Sequence, residues 1–144
     1  MVGNGAMKSI LVVDDEVGAR ESLKMILKGE YQVILAKNAE EVFRQIHSHI
    51  PDIILLDLIL PDMDGLRVLE KLKQTLPDQI VIMITATKTV KTAVEAMKLG
   101  AYDYITKPFD VDELRLIVNR ALSTRALKEE NQRLWMEEIG RAHV

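Results

Sequence analysis

Cysteine is absent from the 144-residue sequence, which excludes disulfide bonds and thiolate metal sites. An excess of charge of one sign is also lacking, since 19 Lys and Arg residues face 22 Asp and Glu residues. The composition therefore marks no surface for nucleic acid or for a membrane. Apolar runs such as IVIMI at 80–84 are far too short to cross a bilayer. The N-terminus has no apolar stretch of the signal-peptide kind, so we expect a cytoplasmic location.

What the sequence does contain is a regular alternation of short apolar runs and helical patterns. Three runs are unbroken, as in strands covered on both faces: ILVV at 10–13, IILL at 53–56 and IVIMI at 80–84. Two more mixed runs, at 32–36 and 102–106, fit the edges of a sheet. The turn after the first run reads DDEVGAR, which is not the glycine-rich loop of a dinucleotide-binding fold. We predict an α/β, flavodoxin-like, doubly wound sheet of five parallel strands in the order 2-1-3-4-5 with five helices, the last extended.

Each predicted helix has an apolar stripe and signals at its ends. The stripes are Ala19, Leu23, Ile26 and Leu27; Val42, Phe43 and Ile46; Leu66, Leu69 and Leu72; Val90, Val94 and Met97; and Leu114, Ile117, Val118 and Ala121. The predicted N-terminal caps are Asn38 with Glu41, Asp64, and Asp110 with Glu113, and the predicted ends are at Gly29, Pro77 and Gly100. Asp62 is interpreted as shaping its own loop together with Pro61.

Polar residues stand at the carboxyl ends of four of the five predicted strands. They are Asp14 and Asp15 after the first, Asp57 after the third, Thr85 at the end of the fourth and Lys107 after the fifth. Open parallel sheets bind ligands at this rim, so we expect the five side chains to converge there. One polar residue at a strand end is most often structural. Three carboxylates, a hydroxyl and an ammonium group together indicate a functional site.

The residue types at this rim indicate phosphoryl chemistry. Clustered carboxylates repel one another unless a cation lies among them, and oxygen ligands without Cys or His favour Mg²⁺. Mg²⁺ takes one or two carboxylates together with phosphate oxygens, which leaves another carboxylate free to attack phosphorus. The charge on the transferred group needs the metal ion, a cation such as Lys107 and a hydroxyl donor such as Thr85.

Four motifs in the sequence resemble the receiver domains of two-component signalling. They are LVVDDE at 11–16, LLDLILPDMDG at 55–65, MITAT at 83–87 and AYDYITKPFD at 101–110. The resemblance covers about residues 8–124. The surrounding sequence is similar to receivers of the nitrogen-regulator type, which precede a sigma-54-activating ATPase domain.

The resemblance implies a switch that accepts a phosphoryl group from a sensor histidine kinase onto Asp57. By the same resemblance, Thr85 and Lys107 contact the phosphoryl oxygens. The implied ligands of Mg²⁺ are the carboxylates of Asp14, Asp15 and Asp57 and the backbone carbonyl of Ile59. The implied signal is a change in the surface of the fourth helix, fifth strand and fifth helix. That surface would control an output domain or a partner, in transcriptional regulation.

Two further features follow from the resemblance alone. Thr85 and Tyr104 form the expected switch pair, because Thr85 moving toward the phosphoryl group leaves room for Tyr104 to turn inward. The bond between Lys107 and Pro108 is expected to be cis, which only X-Pro bonds adopt at small cost.

The ends of the chain lead to separate expectations. Residues 1–7 are interpreted as a disordered leader or a cloning remnant, residues 8–124 as the receiver domain and residues 125–144 as a helical linker. A series of residues spaced by three or four positions suggests a coiled-coil seam and a homodimer: Ile117, Ala121, Thr124, Leu127, Asn131 and Leu134. A solvated helical tail is the alternative. No P-loop or DNA-binding helix pair is present, so the chain itself is not expected to bind nucleic acid.

Two rival functions stay open at this point. A magnesium-dependent phosphatase with an aspartyl nucleophile usually places that residue after the first strand, with a second aspartate two positions on, and Asp57 fits neither requirement. A phosphate-independent adaptor of the same fold would be expected to lack part of the acidic set, and no part of it is missing.

Overall fold

The computed structural model describes residues 7–87 and 89–142. The leader predicted at 1–7 therefore lies, except for Met7, outside the described residues. Ten elements alternate along the chain: β1 Ser9–Val13, α1 Val17–Leu27, β2 Gln32–Ala36, α2 Ala39–Ser48, β3 Ile53–Leu56, α3 Gly65–Thr75, β4 Ile80–Thr85, α4 Val90–Lys98, β5 Asp103–Thr106 and α5 Val111–Ala142. The predicted alternation is confirmed, and β5 begins one residue later than expected.

All five strands are parallel and lie in the order β2-β1-β3-β4-β5, as predicted. Every residue of β1, β3 and β4 is buried, which explains their unbroken apolar sequences. The more mixed β2 and β5 form the edges. A flavodoxin-like arrangement of this kind reverses its strand order between β1 and β3, and the carboxyl ends of these two strands are where a ligand site is expected.

The sheet separates two apolar cores, because successive strand residues point to opposite faces. The first core contains Leu11 and Val13 of β1 and buried residues of α2, α3 and α4. The second core contains Ile10 and Val12 of β1 and buried residues of α1 and α5. Helices thus cover both faces of the sheet, and its carboxyl rim is left to the loops.

Local capping signals are confirmed at three helix starts. The side chain of Asn38 accepts a hydrogen bond from Glu41 N at 2.9 Å, and Asp64 accepts one from Leu66 N at 2.9 Å. Asp110 accepts from Asp112 N at 2.7 Å before α5. Gly100, just after α4, has φ of +103°, a conformation that glycine adopts without strain.

Asp62 contributes a helix cap that was not predicted from the sequence. Its two carboxylate oxygens accept hydrogen bonds from Ala39 N at 2.9 Å and Glu40 N at 3.0 Å, which are free N–H groups in the first turn of α2. Slight desolvation of Asp62 raises its pKa, but these two hydrogen bonds and one from its own amide outweigh that effect and lower the pKa overall. The loop after β3 is thereby tied to α2 across 22–23 residues of sequence.

Replacing Asp62 with Ala is expected to lower the free energy of unfolding by about 1 kcal/mol, the usual worth of a cap. Because the pKa of Asp62 is lower in the folded state, its contribution is present above the ordinary Asp pKa and is lost as pH falls through the folded value. Urea unfolding at neutral and acid pH measures both effects. Asp62→Asn, which keeps one acceptor oxygen, is the matched control and should retain part of the stability.

The apolar stripe predicted for α4 does not face the core, so this prediction was wrong. Val90, Val94 and Met97 are 80%, 45% and 48% exposed, and the buried residue of this helix is Ala96. Ala96 is the residue of α4 that packs into the first core, and the larger residues lie on other sides of the helix. They form an exposed apolar face beside β5.

The predicted extension of α5 is confirmed, and the helix runs for 32 residues. The residues proposed for a seam do not share one environment. Ile117 and Ala121 are buried against the sheet, whereas Leu127 and Leu134 are 65% and 47% exposed. The part of this series available to a partner therefore begins after Ala121.

Candidate functional site at the carboxyl rim of the sheet

The carboxyl ends of the strands bring the predicted site residues to one rim. Val13 pairs with Leu56, so Asp14 and Asp57 follow directly from neighbouring positions in the sheet. Thr85 ends β4 and pairs with Thr106, which sets Lys107 just beyond it. Lys107 N also donates to the carbonyl of Thr85 at 2.8 Å.

The centre of the site is an ammonium group shared by two buried carboxylates. Lys107 Nζ donates to Asp14 Oδ2 at 2.5 Å and to Asp57 Oδ2 at 3.2 Å. Asp14 is 1% and Asp57 6% exposed, so their charges need this partner in a poorly solvated place. Burial lowers the pKa of Lys107, but the hydrogen bonds and charges of both aspartates outweigh burial and raise it. Lys107 is therefore held in its charged form.

Main-chain amides orient each of the two carboxylates. Glu16 N donates to Asp14 Oδ1 at 3.0 Å, and Ile59 N donates to Asp57 Oδ1 at 3.1 Å. Each aspartate thus has one oxygen on an amide and one on Lys107. Such double anchoring fixes the side chains before any ligand arrives.

Asp15, the third predicted carboxylate, lies exposed at the rim. Among residues 7–87 and 89–142, no group of three or more His, Cys, Asp or Glu side chains is arranged as a metal centre. The donor set still suits Mg²⁺, which prefers carboxylate and carbonyl oxygens and keeps several waters. Asp14 and Asp57 offer two such carboxylates side by side, and Asp15 adds a solvent-facing one. The residues therefore fit a hydrated Mg²⁺ ion, although Lys107 holds two of the carboxylates here.

Thr85 and Tyr104 are linked through the short segment after β4. Thr85 is fully buried, and its hydroxyl accepts a hydrogen bond from Thr87 N at 3.4 Å. Tyr104 is half-buried against the first core, and its hydroxyl donates to the carbonyl of Thr87 at 2.9 Å. The same hydroxyl lies 3.3 Å from Thr92 Oγ1 of α4. Thr87 thus connects the rim to Tyr104 of β5, and Tyr104 in turn contacts α4.

Gly65 and Arg20 support the site, although neither was predicted to have a role there. A Cβ at Gly65 would lie 2.6 Å from Leu58 Cα and 2.7 Å from Leu58 O, and would also strike the carbonyl oxygen of Asp57. Gly65 therefore lets α3 begin against the main chain that carries Asp57. Arg20 donates to the carbonyl of Asp14 at 2.7 Å. The place of Gly65 at the end of the motif LLDLILPDMDG could suggest a close approach to the main chain. The residues that it approaches could not be predicted from the motif.

The peptide bond between Lys107 and Pro108 is cis, as the family resemblance implied. The bond directly follows the residue whose ammonium group joins the two aspartates. Within the part of the chain that the structure describes, no helix is long and apolar enough to span a membrane.

Comparison with known proteins agrees with the fold. The family model described as "Response regulator receiver domain" matches residues 10–119 of the chain. The chain belongs to this family. The receiver domain is 42% identical over 134 residues to the regulatory protein AtoC of Escherichia coli K12, and 39% identical over 125 residues to a putative response regulator, NtrX-like, of Rickettsia bellii. These alignments cover 90% and 85% of the chain but 28% and 26% of the two relatives.

Solved structures show the same fold. A CheY-like receiver domain protein from Methanospirillum hungatei superposes with a TM-score of 0.82 at 32% identity, covering 85% of this chain and 99% of that one. NtrX from Brucella abortus gives a TM-score of 0.83 at 40% identity, covering 89% of this chain and 29% of that one. The receiver domain thus corresponds to a whole chain in one case and to a part of a longer chain in the other.

Proposed function

We propose that this receiver domain is a phosphorylation switch in which Asp57 accepts a phosphoryl group from a sensor histidine kinase. The observation that carries the proposal is the ammonium group of Lys107 lying against both Asp14 and Asp57 at the carboxyl rim. A single cation between two anchored carboxylates is well placed to meet the added charge of a phosphoryl group on one of them.

The chemistry needs few groups. One carboxylate oxygen of Asp57 attacks phosphorus, the bond from phosphorus to the donor's leaving group breaks, and that group departs with the electron pair. No base is required, because an ionised carboxylate has no proton to lose. Lys107 is near enough to turn from Asp57 to the new phosphoryl oxygens, and the hydroxyl of Thr85 can donate a hydrogen bond to one of these oxygens.

Asp14, Asp15, Asp57 and the backbone carbonyl of Ile59 would hold Mg²⁺ in this proposal. When bound, the ion offsets the negative charge shared by the carboxylates and the incoming phosphoryl group. The amide of Ile59 already donates to Asp57, so the same short segment orients the phosphoacceptor and supplies the carbonyl ligand.

Magnesium is expected to raise the melting temperature of the wild type and to raise it less in Asp15→Ala. At ten times its Kd, a ligand adds about 1.4 kcal/mol, or roughly 3–6 °C for a domain of this size. Thermal unfolding over a Mg²⁺ titration measures the difference. Glu70→Ala, which removes an exposed carboxylate on α3, is the control. Equal stabilisation of Asp15→Ala and the wild type would place the metal site elsewhere.

The switch is proposed to run from Thr85 through Thr87 to Tyr104. When the Thr85 hydroxyl turns to a phosphoryl oxygen it gives up the amide of Thr87, and Tyr104 holds the carbonyl of the same residue. A shift of Thr87 would then be felt at Tyr104 and at Thr92 of α4. The surface proposed to change is formed by α4, β5 and α5, where Val90, Val94 and Met97 are already exposed.

The chain spans 28% of the length of AtoC and 26% of the length of the NtrX-like regulator. We propose that residues 8–124 act as the receiver domain and residues 125–144 as a helical linker toward an output domain or a partner. Transcriptional regulation of the sigma-54-activating type is the proposed output, supported by the names "Regulatory protein AtoC" and "DNA-binding transcriptional regulator NtrC" among its relatives. A cytoplasmic location stays a prediction.

Incubation with Mg²⁺ and acetyl phosphate tests the function, with intact mass and free phosphate followed over time. A single added phosphoryl group that persists supports the switch. Rapid, repeated release of phosphate would favour the phosphatase, and no change in mass would favour the adaptor. The wild type without Mg²⁺ is the matched control.

Phosphorylation is also expected to shift a monomer–dimer equilibrium through α4, β5 and α5. A coupling of about 1–3 kcal/mol is typical and corresponds to a factor of roughly 5–150 in dimer affinity. Sedimentation with and without beryllofluoride measures it, in the full chain and after truncation at Thr124. Unchanged association in both proteins would contradict the prediction. Equal shifts in both would show that the tail takes no part.

A further inference from the structure

The face of α5 that packs on the sheet changes character where the helix leaves the domain. Up to Ala121 this face is apolar and buried. At the helical spacing of three or four residues it continues with Arg125, Lys128, Glu129 and Gln132. These polar residues line a cleft of about 470 Å³ between α5 and the loops that precede β4 and β5. Beyond Leu122, which still packs against the second core, this face of α5 therefore borders a polar cleft rather than an apolar core.

Arg125 lies at the edge of this cleft and binds Asp52. Its guanidinium donates to the backbone carbonyl of Asp52 at 3.0 Å and to Asp52 Oδ1 at 3.2 Å. The other carboxylate oxygen of Asp52 accepts a hydrogen bond from Ser9 N at 2.8 Å. One aspartate thus joins α5 to the beginning of β1, at the end of the sheet opposite the phosphoacceptor rim.

Lys128 bridges the cleft to Asp78, which also lines it. Its ammonium group lies 2.7 Å from Asp78 Oδ1, in the loop between α3 and β4. The hydrogen bond and the charge of Lys128 lower the pKa of Asp78, so this carboxylate is charged at neutral pH. Arg125 and Lys128 are three residues apart and therefore share one face of the helix.

We propose that Arg125 and Lys128 form a polar clamp that fixes the direction in which α5 leaves the receiver domain. When both ion pairs open, the part of α5 beyond Leu122, here called the extension, swings away from the loops that precede β3 and β4. The rest of the receiver domain stays folded. The clamp is defined by the pairs Arg125–Asp52 and Lys128–Asp78. It does not depend on phosphorylation and stands apart from the function proposed above.

The clamp is suited to release because ion pairs near water are weak and sensitive to salt. The side chains of Lys128 and Asp78 are 57% and 73% exposed, and those of Arg125 and Asp52 are 30% and 25% exposed. Screening acts over about 10 Å at 0.1 M salt, so the more exposed pair is expected to open first. Because Arg125 binds a main-chain carbonyl as well as a carboxylate, it is the stronger half of the clamp.

Distances between two spin labels test the clamp directly. The sequence has no cysteine, so Gln74→Cys on α3 and Met136→Cys on the extension can be labelled without other replacements. Both sites are exposed. The doubly labelled protein at low salt is expected to give one narrow distance distribution. Adding Arg125→Gln with Lys128→Gln should at least double its width, and 0.5 M salt should widen the distribution of the doubly labelled protein in the same direction.

The matched control is Arg133→Gln, which removes ion pairs with Glu130 and Glu137 of the same helix. It should leave the distance distribution narrow. Unchanged width in the Arg125 and Lys128 variant would overturn the clamp and show that helix continuity alone sets the direction. A larger loss of helical circular dichroism in that variant than in the control would also overturn it, because the extension would then melt rather than swing.

Discussion

Asp57→Asn is expected to abolish phosphorylation by acetyl phosphate while leaving the fold intact. The amide lacks the charged oxygen that attacks phosphorus, and no neighbouring carboxylate occupies the end of β3. Asparagine keeps an oxygen for the amide of Ile59, and Lys107 keeps Asp14 as its partner. The free energy of unfolding should therefore change by less than about 1 kcal/mol. Intact mass and urea unfolding measure the two effects.

Asp110→Asn is the matched control for this replacement. Asp110 caps α5 through Asp112 N, and asparagine caps about as well as aspartate. This variant should be phosphorylated at the wild-type rate. Labelling of Asp57→Asn at that same rate would remove Asp57 from the role of phosphoacceptor.

Gly65→Ala is expected to be strongly destabilising, by about 3 kcal/mol, the upper range of ordinary overpacking. The added methyl group would strike main-chain atoms of Asp57 and Leu58, which cannot move aside as a flexible side chain can. Because this main chain carries Asp57, the proposed phosphoacceptor, the fraction that folds should also be phosphorylated more slowly. Urea unfolding and the initial rate of mass gain measure the two losses.

Gly18→Ala is the control, because a Cβ at this position in α1 meets nothing within 4 Å. Alanine is the better helix former, so this variant should be as stable as the wild type or up to about 1 kcal/mol more stable. If Gly65→Ala behaved like Gly18→Ala, α3 would have room to move away from β3, and the close approach would not constrain the site.

The sheet and the positions of the site residues could be predicted because their signals are local or topological. Strands buried on both faces must be apolar throughout, which identified β1, β3 and β4. Residues that follow parallel strands must share a rim, so the strand ends alone were enough to predict that Asp14, Asp57 and Lys107 lie together. Caps such as Asn38 and Asp64 act within three residues of sequence and were equally readable.

The features that could not be predicted from the sequence depend on contacts between distant elements. Asp62 caps a helix more than twenty residues earlier, and its own loop gave no sign of it. The stripe of α4 had a helical period, but a period does not tell which side faces the sheet. Ala96, small enough for close packing, takes the contact and leaves Val90 and Val94 outside. The exposure of Asp15 could not be predicted either, because the position of a residue after a strand places it at the rim but does not fix the direction of its side chain.

The two cores on either side of the sheet have a consequence for how information crosses the domain. Tyr104 packs against the core that contains residues of α3 and α4, whereas the next residue, Ile105, belongs to the core that contains Leu114 of α5. A turn of Tyr104 in the proposed switch would therefore change packing on one side of the sheet first. It reaches α5 through the backbone of β5, whose alternating side chains touch both sides. In the proposed switch, an edge strand only four residues long would therefore pass a change on one face of the sheet to the other face.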